Sequence, residues 1–545
     1  MNKKASKKAS LLLLCIVCGV LILFLAFGLQ ESADVSIILE NNNDDVSATA
    51  ILSYDESSVS INSYENETGD LYLFLPADTQ GKRATIESND LLQNSQKGTS
   101  ISNGTSLLLS TGKTLTILTG SSIPSIYILL QNDLSYIQED KTNSDSGTIE
   151  IIDSTGSYLY RGELEKIKGR GNTSWEADKK PYNITLGDSV CLMDDETPAN
   201  RYSLLASSDI TFLRNRISNE LANVAGVVSL ESFPVNVYIN GSYEGVYELS
   251  RKVNTDNLGI TDLEKENETL NESQTSLLQE TTGITWDDWN HSETGKWWNY
   301  EREPEDLTGG YLLEADDTLR YGKEESGFIL NSGAYIVSKS PKLLSEGEYQ
   351  YISTYLQDCE TVLSSSVGLD NYDALSSYLD IDSFVGKYLV EEISKNIDSS
   401  SSSQYLYKDI GSVLYAGPVW DYDWAYGCDR IQEGIDYSDP EGFSAKEITG
   451  DFNWWQYLYY NKAFYQDVVS KYEDTVYPWL NELVETTLTQ WKEEMTNSAV
   501  MDYLRWDRDS DRTKAESHYE EEIEEVRQFL EERKEFLYDE WVVSD

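Results

Sequence analysis

The spacing of apolar and polar residues changes along the chain, and each change predicts a different kind of structure. Residues 11–29, LLLLCIVCGVLILFLAFGL, run without a charge. As a helix at ~1.5 Å per residue this stretch reaches about 28 Å, the hydrocarbon core of one bilayer. The preceding MNKKASKKAS (1–10) carries Lys3, Lys4, Lys7 and Lys8, which favours a cytoplasmic amino terminus. A cleaved signal peptide shares this pattern, but the run is long for one and no clear A-x-A site follows, so an uncleaved signal anchor is the expectation. The protein is then a single-pass cell-membrane protein with the bulk of its chain extracytoplasmic.

From 34 to 120, β-favouring runs such as VSATAILSY and GDLYLFLPA alternate with Asn, Asp, Gly and Ser turns, which predicts a small β-sandwich-like domain. Strand character resumes at SIPSIYILLQND (122–133) and continues through TIEIIDSTGSYLYRGELEKIKGRG to FPVNVYINGSYEGVYEL. Within it, 209–226 sets Phe212, Leu213, Ile217, Leu221 and Val224 at helical spacing. Residues 262–308 become polar and then rich in tryptophan, which predicts a surface insertion. Its Trp286, Trp289, Trp297 and Trp298 suit either a glycan or peptide contact or a lid packed on its own domain. After GGYLLEAD (309–316) helical patterns dominate, and the last places Ile523, Val526, Leu530, Leu537 and Trp541 on one face. The fold class is therefore α+β, preceded by a small all-β domain and a transmembrane helix.

Charge and composition narrow the chemistry. With 95 acidic against 42 basic residues, a net charge of −53, the chain repels phosphate backbones, so no nucleic acid is expected and cations are the natural companions. Its two histidines, His291 and His518, leave no room for a Ser-His-Asp triad, a histidine-held zinc or an HExxH site. Beyond the apolar run only Cys191, Cys359 and Cys428 remain, too few and too far apart for a disulfide scaffold. Chemistry must rest on carboxylates, lysines, amides or a metal held by oxygen.

GPVWDYDWAYG (417–427) reads as a strand ending at Gly427, with Asp421 and Asp423 on one face and their Cα atoms ~6.6 Å apart. Two readings fit: a hard divalent cation held by both carboxylates, or a solvated strand. KIKGRGNTSW (166–175) supplies Gly169, Arg170, Gly171 and Asn172, with Lys179 and Lys180 following. This suits a nucleotide polyphosphate, and equally a turn followed by surface lysines. In LVEEISKNIDSSSSSQYLYKD (389–409) a helix runs into a serine loop, with Asn396 and Asp398 at the junction, where an aspartate serves as cap, turn former or base.

In one order along the chain, IKGRGNTSW with KKPYNITL, LLASSDITFLRNRISNELA, VNVYINGSYEGVYEL, GGYLLEAD, EEISKNID and GPVWDYDWAYG resemble the CotH family of spore-coat protein kinases, over about 122–545. The resemblance implies an atypical protein-kinase-like fold with a β-rich amino lobe and a helical carboxyl lobe. It also implies Mg²⁺-dependent transfer of the ATP γ-phosphoryl group to serine or threonine of a protein substrate. By motif, Asp398 resembles the catalytic aspartate that orients the hydroxyl and takes its proton, and Asp421 the metal-binding aspartate, with Asp423 and Asn396 in support. Lys180, or its neighbour Lys179, would contact phosphates near Gly169 to Asn172. Two departures stand out. SSSSSQ follows Asp398 where the family often has an asparagine for a second metal, leaving Ser403 or Gln404, and Ser250–Arg251 replaces a common Thr-Glu or Ser-Glu pair. The alternative is a non-catalytic extracytoplasmic binding or adhesion protein on the same fold, with a structural cation. A glycosidase built on paired acids leaves the glycine–lysine segment unused.

Overall fold

A computed structural model describes residues 35–42, 45–55, 57–87, 91–92, 98–171, 173–192, 198–206, 208–272, 289–400, 402–432, 434–448 and 450–544. The expected tail and anchor (1–29), Asn172 and Trp286 lie outside the described residues. Among those described, no helix is long and apolar enough to cross a membrane. The chain divides into two compact units, 1–119 and 120–545.

The first unit is all β. A five-stranded sheet runs in the order Ser58–Asn62, Asp45–Ser53, Val35–Asn42, Arg83–Glu87, Gly98–Ser100, and a four-stranded sheet in the order Tyr64–Glu65, Leu71–Leu75, Thr114–Thr119, Thr105–Leu108. Period-two alternation buries Val35, Ile37 and Leu39 on one face, while Leu71–Leu75 is buried on both.

In the second unit seven strands close into a barrel: β1 Ser125–Leu130, β2 Ser144–Ile152, β3 Tyr158–Gly169, β4 Tyr182–Val190, β5 Ala199–Leu205, β6 Ser232–Ile239 and β7 Ser242–Arg251. Their order is β1-β2-β3-β4-β5-β7-β6, and the parallel pairing of β1 with β6 completes the ring. Ile126, Ile149, Ile167, Ile184, Tyr202 and Leu249 fill the interior. Alternation then turns Lys168, Asn183, Ser203 and Ser250 outward, and the register sets them side by side across four strands. Helix α1, Arg214–Ala225, lies between β5 and β6 in sequence and ends at Gly226 in the left-handed region (φ 74°). It begins later than its apolar spacing predicts, because Asp209 ties the preceding turn by accepting from the Thr211 and Arg214 amides, each at 2.9 Å.

Beyond the barrel, seven strands make a second sheet: β8 Trp289–Ser292, β9 Gly295–Trp298, β10 Tyr311–Asp316, β11 Gly327–Ile329, β12 Tyr335–Ser340, β13 Gln404–Lys408 and β14 Tyr415–Ala416, ordered β8-β9-β11-β12-β10-β13-β14. Its helices include α2 Thr318–Tyr321, α3 Glu346–Ser366, α4 Ile381–Ser394, α5 Leu488–Arg505 and α6 Arg512–Tyr538. A capping box between Ser345 and Glu348 starts α3. Helix α4 is buried from Ser383 to Ser394, as a central helix must be. Along α6 and the turn after it, Ile523, Val526, Leu530, Leu537 and Trp541 are all buried, the face their spacing predicts.

One expectation is corrected, and of the two readings of the tryptophan segment Trp297 and Trp298 follow the one packed on its own domain. The strand through Asp421 does not form: β14 ends at Ala416, Pro418 brings no N–H to a ladder, and Asp421 (φ 70°) and Tyr426 (φ 54°) turn left-handed. The tryptophan segment presents no open aromatic patch at Trp297 and Trp298. Trp297 stacks on Tyr349 with ring centroids 4.4 Å apart, and Trp298 is buried where β9 joins the sheet.

Candidate active site

Segment 417–427 is shaped by the helices around it. The Tyr422 amide donates to Asn215 Oδ1 of α1 at 2.8 Å, and the Tyr426 amide donates to the Ser394 carbonyl at the end of α4 at 2.8 Å. Arg214 Nε donates to the Ala425 carbonyl at 2.9 Å. Inside α4, Lys387 and Glu391 both bond the buried Tyr422 hydroxyl. Aromatic residues thus serve as anchors, and the intervening acids are thrown towards the barrel. Asp421 is held by Ser403 Oγ, which donates to Oδ2 at 3.2 Å, and Asp423 by the Ser208 amide (3.1 Å) and hydroxyl (2.7 Å).

Asp398 follows the carboxyl-terminal end of α4, the end that also holds Tyr426. Lys395 turns left-handed (φ 44°), and its Nζ donates to the carbonyls of Asp436, Asp439 and Glu441, fixing the exit. A short helical turn, Ile397–Ser400, then carries Asp398. Asn396 is fully buried and its Oδ1 accepts from the Asp398 amide at 3.2 Å. This buried amide therefore braces the turn that carries Asp398.

The three acids share one field. Burial raises the pKa of Asp398, with Ser402 and Arg320 opposing and Asp423 adding to the rise. Asp421 is open to the cleft but closely surrounded, and that desolvation, followed by the Asp398 charge, raises its pKa, while Arg170 opposes. Asp423 is pushed up to about 6 by burial and then by Asp421. Arg170, whose guanidinium lies 5.9 Å from the Trp420 ring centroid, faces both Asp421 and Asp423. Like charges crowded at this density are what an oxygen-held divalent cation neutralises. Among the described residues no three His, Cys, Asp or Glu side chains form a ready-made metal cage. Mg²⁺ does not require one, since it takes one or two carboxylates and completes its shell with water and substrate phosphate. The donor set fits that ion.

The lysines and glycines lie elsewhere. Lys179 is buried in an ion pair with Asp502 of α5 and also donates to the Val246 carbonyl. Gly245 (φ 103°) leaves room for that pair, since a Cβ there would stand 2.3 Å from Asp502 Oδ2. Lys180 donates to the carbonyls of Trp175 (2.8 Å) and Ala177 (2.9 Å), closing the short helix before β4. Of the two lysines expected at phosphates, Lys179 is thus buried in an ion pair and Lys180 is engaged in its own turn. Gly169 makes room for the Trp175 ring, which a Cβ would approach to 2.4 Å, and Gly171 (φ 78°) forms the turn. Of the glycine segment, Arg170 alone is shown facing the acids.

Sequence reasoning missed four residues here. Glu314 and Asp316, both buried, share one face of β10, and Glu314 Oε1 accepts from the Ser403 amide at 3.1 Å. Asp316 is pushed up to about 7 by burial and by Glu314. Arg320 of α2 lies 3.4 Å from Asp316 and contributes charge to Asp398 and Asp421. Ser208 is the fourth. The signal for the acid pair was present in YLLEAD, two carboxylates at period two inside an apolar strand, where each needs a reason to be buried. Gln404, by contrast, pairs with Ala315, and alternation places it on the face opposite Glu314, away from the acids.

The segments that carry this geometry are also those that compare with known proteins. No curated protein matches the chain. The profile of the family described as CotH kinase protein matches residues 167–537, a span of more than half the sequence that includes Arg170, Glu314, Asp398, Asp421 and Asp423. The chain belongs to the CotH kinase protein family.

Proposed function

We propose that this protein transfers the γ-phosphoryl group of ATP, with Mg²⁺, to a serine or threonine hydroxyl of a protein substrate, at or outside the cell membrane. One observation carries the reading: Asp398 and Asp421, 23 positions apart in sequence, are brought together at the carboxyl-terminal half of α4 into one electrostatic cluster with Arg170. The barrel then acts as the amino lobe and the helical region as the carboxyl lobe of a kinase-like fold.

Asp421 and Asp423 would hold Mg²⁺, which supplies charge neutralisation for the phosphates. Asp398 orients the acceptor hydroxyl and takes its proton as the Oγ–P bond forms and the β–γ bridging bond breaks, with ADP leaving. Burial raises the Asp398 pKa, which makes it a stronger base than a solvated carboxylate. Arg170 and Arg320 balance the acids while the cleft is open. Such a division suits phosphoryl transfer, which depends on alignment and charge more than on covalent help. The apolar run 11–29 with its flanking lysines supports the extracytoplasmic placement.

The test is label transfer from [γ-³²P]ATP with Mg²⁺ by the full chain, beside Asp398→Ala and Asp421→Ala. Wild type should label a Ser/Thr protein, with the Asp398 variant reduced by about 10²–10⁴-fold. Transfer that survives both substitutions overturns the assignment. Absent nucleotide binding in the wild type favours the adhesion reading.

A further inference from the structure

Lys179 is paired with Asp502, and the outer face of the barrel carries further cations suited to the phosphates of a donor. Lys168 on β3 stands opposite Asn183, and Arg201 on β5 opposite Thr185. The register of β5 with β7 places Tyr202 beside Arg251, and its continuation brings Arg201 beside Lys252. Short side chains, Asn183, Ser203 and Ser250, separate them. Arg201, Lys252 and Lys342 line a cleft of about 1090 Å³ between this face and the second sheet.

These cations, Lys168, Arg201, Lys252 and Lys342, form no close ion pair among the described residues, although the Lys342 charge acts on Glu264. Glu264 accepts from the Lys342 amide, at 3.3 Å. Acids line the same cleft, Asp256, Asp262, Glu264, Glu268, Glu324 and Glu325, and of these Glu324 is bound by Lys339 at 3.0 Å. In a chain with 95 acids and 42 basic residues, unpaired clustering of four cations runs against composition. The cluster costs the empty protein: enclosure, then Lys342, Lys168, Arg201 and Arg170, push Lys252 down to about 8. Arg170 connects the group to Asp421. A compact multivalent anion offsets that repulsion, and lysines bind phosphate as point charges.

We propose that Lys168, Arg201, Lys252 and Lys342 form a grip for a polyphosphate chain, that of the donor nucleotide, leading to Asp421. The choice of donor rests on the phosphotransfer reading. The experiment is titration of the full chain with inorganic tripolyphosphate and with Mg-ATP, for wild type, Lys252→Gln and Lys252→Gln/Lys342→Gln. The double variant should bind both ligands at least tenfold more weakly, with its thermal midpoint unchanged or higher, since repulsion is removed. Affinities within twofold of wild type, or a wild type that binds neither ligand, overturn the grip. Tripolyphosphate binding lost in the double variant, with label transfer absent throughout, overturns phosphotransfer and leaves the grip standing. Label transfer with an unaltered KM for ATP in the double variant does the reverse.

Discussion

Replacing Asp423 by asparagine should make the metal-free protein more stable and the metal-dependent activity worse. In the folded protein the Asp423 pKa is about 6, against an ordinary 3.8. A carboxyl raised in this way favours the folded state least where it is ionised in both states. The penalty is complete above about pH 6 and shrinks as pH falls towards 4. At 1.36 kcal/mol per pH unit it comes to about 3 kcal/mol at pH 7.5 and about 1 kcal/mol at pH 4.5, both upper bounds for a partly exposed group. Asparagine keeps one carbonyl oxygen for the Ser208 hydroxyl and amide, but loses the charge on those bonds, at about 1 kcal/mol. The net expectation is a gain of about 2 kcal/mol at pH 7.5 that vanishes near pH 4.5. Spread over a unit this long at about 2.1 cal/mol/K per residue, the gain is about 2 °C in Tm. Differential scanning calorimetry in EDTA at the two pH values reads it directly, and Mg-ATP should raise the Tm of wild type more than that of the variant. A variant less stable than wild type at pH 7.5, or a gain of equal size at both pH values, refutes the electrostatic account of the site.

Other outcomes follow from the same geometry. Lys179→Met should destabilise the protein by about 3–5 kcal/mol in denaturant titration, because it strands the Asp502 charge, and a Lys179→Met/Asp502→Leu pair should recover most of the loss. Tripolyphosphate affinity should fall as pH rises through about 8, where Lys252 loses its charge, and titration in buffers from pH 7 to 9 will show whether the decline is absent from Lys252→Gln. Asn396→Ala should lower kcat for transfer while leaving the KM for ATP near wild type, since its amide oxygen accepts from the Asp398 amide and orients that turn. A matched rise in KM would place it in the nucleotide site instead.

How far the site was legible depends on whether local pattern or distant packing fixes each residue. The face of α6 with Ile523, Val526 and Leu530 follows from helical period alone, and the β-rich stretch from 122 onward from alternation. Asp398 and Asp421 were marked by context, an acid after a helix and an acid among aromatics. Their conformation was not. Tyr422 and Tyr426 are claimed by Glu391, Ser218 and Ser394, so the strand that period two predicts gives way to a loop pinned from two helices. Lys179 and Lys180 show the opposite case: neighbours of equal promise are separated by their partners, the distant Asp502 for one and the carbonyl of Trp175, five residues back, for the other.

Two clusters of charge in the second unit, opposite in sign, meet at Arg170. Acids raised by one another surround Asp421, and cations depressed by one another surround Lys252. Each group repels itself, and Arg170 opposes the rise of Asp421 without abolishing it. A ligand that carries both a divalent cation and several negative charges satisfies the two at once. That complementarity, more than any single carboxylate, is the physical reason to expect Mg-ATP in the cleft, and it predicts that Mg²⁺ and tripolyphosphate bind more tightly together than either does alone.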